Sequence, residues 1–297
     1  MTEAGELIIG GGSGVASGQA QPDARGPAAD GMDSPLAAAV TERDAETLQM
    51  VRRALGDRHV LLAFQPVVMA RDTGRTAFHE GLIRILDDGG RVIPARDFIS
   101  AVETCELGRR IDTLALEMGL AALHRTPTLR LSVNMSARSI GYPPWKSTLL
   151  GALAADSTVG ERLILEITES SAMVMPDLVS VFMQEMQRLG ISFGLDDFGA
   201  GYTALRHFKE FYFDILKIDG QFVRGVHADA DNQVLVSAMI AIGRHFDMFT
   251  VAECVEDARD AEFLIRAGVD CLQGYLYGAP STKPPHAAQM DRRALRA

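Results

Sequence analysis

Six short apolar runs in this chain each close on a polar or charged residue, and that repetition restricts the fold more than any other feature. The runs end at Glu80, Asn134, Glu166, Asp196-Asp197, Lys217 and Glu253. Val/Ile/Leu-rich runs bounded by breaks mark strands buried on both faces, as in a parallel sheet. Between them lie helical stretches: Phe98 to Leu123, Trp145 to Ala154, Pro176 to Leu189 closed by Gly190, Asp231 to Phe246, and Ala258 to Ala267 closed by Gly268. A short helix is also expected over Tyr202 to Lys209. Strand-helix alternation with short links means a parallel sheet with helices outside. A strand count near eight and a folded length of about 250 residues favour a closed (β/α)8, TIM-like barrel over an open sheet.

The ends of the chain read differently. Residues 1–40 are rich in Gly, Ala and Asp, with Leu7-Ile8-Ile9 as their apolar cluster. They cannot bury enough apolar surface to offset their ordering entropy, so a disordered N-terminal tail is expected. The run Gly10-Gly11-Gly12-Ser13-Gly14 is read as linker, because no strand precedes it and no Gly-Lys-Ser/Thr follows. From Thr41 the pattern turns helical, with Thr41 as cap and Leu48, Val51 and Leu55 at helical spacing before Gly56. His59 to Val68 and Thr76 to Leu86 read as strands that can pair as a hairpin about Thr73-Gly74-Arg75. The barrel with its leading helix is expected over residues 41–285, and residues 286–297 as a C-terminal tail.

Composition narrows the class. The formal charge of -10 argues against a general affinity for nucleic acid. An anionic substrate then needs local neutralisation by metal or a few placed cations. No apolar stretch approaches the roughly 18–20 residues of a membrane span, and no basic region precedes an apolar block at the N-terminus, so a cytoplasmic protein is expected. Cys105, Cys254 and Cys271 are odd in number and far apart, which speaks against a disulfide framework.

Strand parity sharpens the reading, since side chains alternate faces with a period of two. Ser132 and Asn134 share one face of their strand, Glu166 shares a face with Ile164, Asp196 with Gly194, and Lys217 lies opposite Leu216 and Ile218. The polar residues can therefore all point into one barrel mouth, where parallel barrels build their sites. His79 has the opposite parity and reads as packing. Glu80, Asn134, Glu166 and Asp196 offer oxygen ligands suited to Mg²⁺ or Mn²⁺. Asp197 and Glu253 remain for a second ion, with Asp196 able to bridge. Two such ions about 3.5–4 Å apart clamp the attacking and leaving oxygens of a phosphoryl displacement. Lys217 can orient the attacking water or take up its proton.

These residues carry a resemblance. The chain resembles the EAL-domain phosphodiesterases that hydrolyse cyclic di-GMP, from about Val60 to Pro280. The motifs in order are Gln65-Pro66-Val67-Val68; Glu80-Gly81-Leu82-Ile83-Arg84; Pro94 with Phe98-Ile99; Ser132-Val133-Asn134-Met135-Ser136; Glu166-Ile167-Thr168-Glu169-Ser170; Asp196-Asp197-Phe198-Gly199-Ala200-Gly201-Tyr202; Lys217-Ile218-Asp219; Ala252-Glu253-Cys254-Val255-Glu256; and Gln273-Gly274-Tyr275. The resemblance implies a modified barrel whose first strand runs against the others. It implies one Mg²⁺ or Mn²⁺ on Glu80, Asn134, Glu166 and Asp196, a second on Asp196, Asp197 and Glu253, and Lys217 positioning the water. It further implies that Glu169 holds the loop after Asp196-Asp197, that Gln65, Leu82, Arg84 and Gln273 contact the dinucleotide, that the product is linear pGpG, and that the chain forms a homodimer. The N-terminal segment is expected to act as a tether or to recruit a protein partner.

The sequence departs from the family pattern at several places. Gly81 stands where the family has its signature alanine, and Cys254 where it usually has glycine. The loop Gly199-Ala200-Gly201-Tyr202-Thr203-Ala204-Leu205 departs from the Thr, Ser and Ser the family favours at its three variable places, and Phe208 to Phe213 is more aromatic than usual and lacks the common Pro. These departures motivate a second reading, a barrel that binds cyclic di-GMP with little turnover and serves as a receptor or partner-binding module.

Overall fold

The computed structural model describes residues 35–201 and 211–285, with side chains from residue 42 onward. Residues 1–34 of the tail expected over 1–40, the tail expected over 286–297, and the helix expected over 202–209 lie outside the described residues. By its contacts the chain divides into Met1–Glu42 and Arg43–Ala297. The second unit is the barrel.

α1 (Pro35–Gly56) begins at Pro35 rather than at Thr41, which falls inside the helix. Proline suits a first helical position because its missing N–H would have no intrahelical partner there. Leu36 and Ala37-Ala38-Ala39 then favour helix by propensity, which a reading by overall composition overlooks. Within the barrel unit, α1 buries Val51, Ala54 and Leu55.

β1 (Val60–Met69) and β2 (Asp72–Leu86) form the expected antiparallel hairpin, with Gln65 directly opposite Glu80. β3 (Val92–Pro94), absent from the sequence reading, adds a short antiparallel edge to the end of β2. The expected single helix from Phe98 is two, α2 (Ile99–Val102) and α3 (Glu106–Arg125), with Cys105 as the extended residue before α3. The units then repeat: β4 (Leu131–Asn134) and α4 (Pro143–Ala155); β5 (Leu163–Thr168), α5 (Glu169–Val174) and α6 (Pro176–Gln187); β6 (Ser192–Phe198); β7 (Ile215–Ile218), α7 (Gly220–Val223) and α8 (Ala230–His245); β8 (Phe249–Ala252), α9 (Ala258–Ala267) and β9 (Cys271–Gln273).

β2, β4, β5, β6, β7, β8 and β9 are successive parallel neighbours. β1 closes the barrel by running antiparallel to both β2 and β9. The fold is therefore a modified (β/α)8 barrel with a reversed first strand, as expected.

Two apolar layers hold it. The larger lies between strands and helices; in it Trp145 of α4, Phe182 of α6 and Phe193 of β6 stack edge to face, with centroids 5.7 and 5.9 Å apart. Phe211 and Phe213 of the aromatic segment before Lys217 join this layer and meet edge to face at 5.5 Å, which accounts for these two. The smaller layer is the barrel interior: Val67, Phe78, Ile164, Ile215, Val251 and Cys271. Each lies two residues from a polar residue of the predicted site, namely Gln65, Glu80, Glu166, Lys217, Glu253 and Gln273. A spacing of two along a strand keeps the same face, so this apolar floor fixes the polar residues above it at the mouth.

Candidate functional site

Lys217 is the hub. Its side chain is 1% exposed, and Nζ lies 2.7 Å from Glu253, 2.8 Å from Asp196, 3.0 Å from Glu166 and 3.3 Å from Glu80. Four strands thus deliver carboxylates to one ammonium group. Glu80 is further tied by Asn134 Nδ2 at 2.8 Å and by Gln273 Nε2 at 2.6 Å. Gln273 also donates to Gln65 Oε1 at 3.3 Å, and Gln65 Nε2 donates to the Gly278 carbonyl at 3.1 Å.

The charges do not balance. Buried carboxylates exceed the single ammonium, and like charges at this range cannot all stay ionised without cations between them. Burial and the neighbouring Glu80 and Asp196 push Glu166 up to about 8, although Lys217 opposes this. Burial and Asp196 likewise push Asp197 up to about 6, and Glu253 rises well above the ordinary carboxylate range, chiefly through burial. For Glu80, burial acts upward, but Lys217 and the amide hydrogen bonds outweigh it and hold the carboxyl below its usual value. Lys217, despite burial, is held well above the ordinary lysine range by Asp196, Glu166, Glu253 and Glu80.

Two sets of oxygens converge. Ligand atoms of Glu80, Glu166 and Asp196 lie within 4.8 Å of one another, and so do those of Asp196, Asp197 and Glu253. Asp196 belongs to both. Among the described residues, Glu166 Oε1 is buried without a hydrogen-bond partner. Hard oxygen donors, excess negative charge and an unpartnered buried oxygen fit a pair of divalent cations.

Parity alone places Asp197 on the outer face, opposite Asp196. The structure turns it back: Asp197 has φ 54°, and the β6–β7 register shifts between Leu195 and Phe198. Aspartate tolerates this left-handed region better than most residues. Glu169, the first residue of α5, is 1% exposed and accepts a hydrogen bond at 2.9 Å from Gly199 N–H, which follows Asp196-Asp197 by two residues. The rest of that loop, from Tyr202, lies outside the described residues. Leu82 and Arg84 alternate with Gly81 and Ile83 on the face of Glu80 and are half-buried. Arg84 Nη1 donates to the Ile83 carbonyl at 2.9 Å.

Two of the departures, Gly81 and Cys254, have structural answers. A methyl on Gly81 would meet the Ser132 carbonyl at 3.1 Å and Leu62 Cδ2 at 3.3 Å, so Leu62 fills the room an alanine would use. Cys254 has φ 54°, a conformation that suits glycine and costs other residues roughly 1–2 kcal/mol. Its sulfur packs towards Gly220 and is not among the oxygens of either set, so it does not crowd the acidic centre. Cys254→Gly is expected to raise stability by about 0.5–1 kcal/mol, the conformational relief less the larger unfolded-state entropy of glycine, with turnover maintained or raised. Denaturant titration beside the wild type measures this.

One supporting residue is missed by the sequence reading. Asp112 lies on the buried face of α3 with Ala115, Leu116 and Gly119, where a charge interrupting the apolar stripe is the available signal. Asp112 Oδ2 accepts from Ser139 Oγ at 2.5 Å and Ser136 N–H at 2.9 Å, which ties down the turn following Asn134. Burial pushes its carboxyl up to about 6. The folded state therefore binds this proton more tightly than the unfolded state, and the associated stability is present below about pH 4 and lost as pH rises through about 6. Asp112→Asn is expected to gain on the wild type over that window by up to about 3 kcal/mol, a pKa unit being worth about 1.4. Urea titrations of both proteins at pH 4, 5, 6 and 7 measure the gap; a gap constant with pH contradicts it.

Comparison with known proteins places this geometry in a family. The model of the EAL domain family matches residues 48–280. The bifunctional diguanylate cyclase/cyclic di-GMP phosphodiesterase MucR of Pseudomonas aeruginosa is 32% identical over 244 residues, 80% of this chain and 36% of MucR. The cyclic di-GMP phosphodiesterase PdeF of Escherichia coli (strain K12) is 29% identical over 237 residues, 78% of this chain and 31% of PdeF. This chain thus spans about a third of the length of these curated relatives. Among solved structures, the MucR phosphodiesterase in complex with c-di-GMP shares 31% identity at a TM-score of 0.74, over 82% of this chain and 99% of that one. The FimX EAL domain from Pseudomonas aeruginosa bound to c-di-GMP shares 26% at 0.72, over 80% and 97%. The match runs through the whole barrel and takes in every residue of the acidic centre, and the chain belongs to the EAL domain family.

Proposed function

We propose that this chain is a divalent-metal-dependent phosphodiesterase that hydrolyses cyclic di-GMP to linear pGpG. The observation that carries the reading is the pair of oxygen sets sharing Asp196 around the Lys217 ammonium group. Glu80, Asn134, Glu166 and Asp196 would hold one Mg²⁺ or Mn²⁺, and Asp196, Asp197 and Glu253 the other. When bound, the ions supply a water of lowered pKa and neutralise charge on the phosphoryl oxygens.

The protein's own residues do the rest. Lys217 Nζ sits between both oxygen sets, where it can orient the water and keep the carboxylates apart in register. Asn134 donates to Glu80, which fixes its amide and leaves the amide oxygen as the ligand atom. The linked amides of Gln273 and Gln65 hold Glu80 from the opposite side and offer polar contacts to the dinucleotide. Arg84 and Leu82 share the face of Glu80, Arg84 as the charged partner of a phosphate. Glu169, through Gly199 N–H, fixes where the loop after Asp197 starts. A homodimer is part of this proposal, with Glu169 and its loop linking cation occupancy to the partner surface.

The receptor reading gains no support, because Leu62 occupies the room beside Gly81 and the Cys254 sulfur packs towards Gly220 and belongs to neither ligand set. Incubation with cyclic di-GMP and Mn²⁺ or Mg²⁺, followed by chromatography, is expected to yield pGpG, and chelation with EDTA to stop it. Tight binding with no product over hours would overturn the hydrolytic assignment in favour of a receptor.

A further inference from the structure

The turn after β7 and the turn after β8 meet at one point. A Cβ built on Gly220 would lie 2.7 Å from both Cβ and Sγ of Cys254, and 3.3 Å from Cζ of Arg224. Carbon atoms do not approach at 2.7 Å, so a side chain at position 220 forces something to move. Gly220 is not among the residues of positive φ, so its backbone would accept any residue. This glycine is required for room and not for conformation.

Cys254 cannot yield by changing rotamer. Rotation about Cα–Cβ carries Sγ away but leaves Cβ where the backbone puts it, and the Cβ contact is already too close. The backbone on either side of Cys254 is held: Glu253 N–H donates to the Ile218 carbonyl at 3.2 Å and Val255 N–H to the Gln273 carbonyl at 2.9 Å. The Gly220 side is held too, by Asp219 capping Gln221 N–H at 2.6 Å and by Arg224 N–H on the Gly220 carbonyl at 3.0 Å. A push from position 220 is therefore delivered to the Cys254 backbone. Its immediate neighbour is Glu253, whose carboxylate lies 2.7 Å from Lys217 and in the oxygen set with Asp196 and Asp197.

We infer that Gly220 is a positioning residue for the cation site of Asp196, Asp197 and Glu253, and that it acts through its contact with Cys254. Neither residue offers a ligand. The inference rests on the two-cation reading above. It makes Gly220 and Cys254 a matched pair: the side chain of one occupies the space the other leaves.

The test is Mn²⁺ binding by titration calorimetry, without substrate, on the wild type, Gly220→Ala, Cys254→Gly and the double variant. Two ions are expected for the wild type. Gly220→Ala is expected to weaken one of them by about 10- to 100-fold, the usual penalty for disturbing a group behind a ligand, and to leave the other unchanged. Removing the Cys254 side chain relieves the contact, since what remains at position 220 is Arg224 Cζ, the end of a flexible side chain. The double variant is therefore expected to bind as Cys254→Gly does. A purely structural role would instead lower melting temperature with both affinities intact. Gly220→Ala binding two Mn²⁺ as tightly as the wild type, or a double variant as weak as Gly220→Ala, overturns the inference alone. A wild type that binds no Mn²⁺ overturns the two-cation reading, and this inference with it. Should Gly220→Ala fail to fold, the double variant decides: folding with Mn²⁺ affinity equal to Cys254→Gly supports the pair, and anything less overturns it.

Discussion

Lys217→Met is expected to cut turnover by orders of magnitude and to yield a protein whose stability depends on added divalent cation. The ammonium group is buried and lies within 3.3 Å of four carboxylates. Methionine keeps most of the volume and removes the charge. Breaking a buried ion pair by deleting one partner costs about 3–5 kcal/mol, because the remaining charge is uncompensated. Here several charges are left. They can discharge by taking up protons, so their folded-state pKa values rise further above the unfolded ones. The folded variant then binds more protons than the unfolded chain at neutral pH, and its stability falls as pH rises from about 5 to 7. Mn²⁺ replaces the missing positive charge and should recover much of the loss. Turnover, which also loses the group orienting water, is expected to fall by about 10²–10⁴ even with saturating metal. Denaturant titrations at pH 5 and 7, each with Mn²⁺ or with EDTA, measure the first effect and pGpG production the second. A variant as stable as the wild type at pH 7 in EDTA would mean that the lysine does not neutralise the cluster.

Asp196→Asn is expected to act with the opposite sign on the metal-free protein. Asp196 contributes an oxygen to both sets, and asparagine preserves its shape while removing one of the crowded negative charges. Without cation the variant should be at least as stable as the wild type. With cation it should not gain: an ion present at a hundred times its dissociation constant stabilises by about 2.7 kcal/mol, and that increment should be lost. Turnover is expected to fall by about 10²–10³, as for removal of one charge-stabilising group. Thermal melts with and without Mn²⁺ separate the outcomes. A Mn²⁺-dependent rise in melting temperature equal to that of the wild type would remove Asp196 from the cation site. Opposite signs for Lys217→Met and Asp196→Asn in EDTA would identify the imbalance of charge, rather than packing, as the property both alter.

Much of this was legible in the sequence because period-two parity and the apolar runs report on the same thing. Glu80, Asn134, Glu166, Asp196, Lys217 and Glu253 each end a run whose earlier residues must be buried, so their common direction follows once the runs are strands. The reversed first strand came from resemblance, since nothing in the His59 to Val68 run encodes the direction of its later neighbours. What stayed hidden depends on local backbone geometry or on contacts between distant residues. Asp197 is named as a ligand by the sequence, but the left-handed turn that brings it to the centre is one parity cannot foresee. Asp112 acts on a turn following a different strand, and only tertiary packing brings Ser136 and Ser139 to it. β3 is too short for periodicity to register, and the first turns of α1 were obscured by a segment read by its average composition. That Lys217 binds four carboxylates at once is likewise a property of the closed barrel and of no single strand.

The dry layer beneath the acidic centre has a consequence for traffic. Val67, Phe78, Ile164, Ile215, Val251 and Cys271 are each at most 8% exposed and seal the barrel below the polar residues. The barrel is a cup and not a conduit, open at one rim. On the proposed hydrolysis, the product would leave by the rim the next substrate enters, and product competing with substrate is the expected kinetic signature, measured by turnover rates with added pGpG.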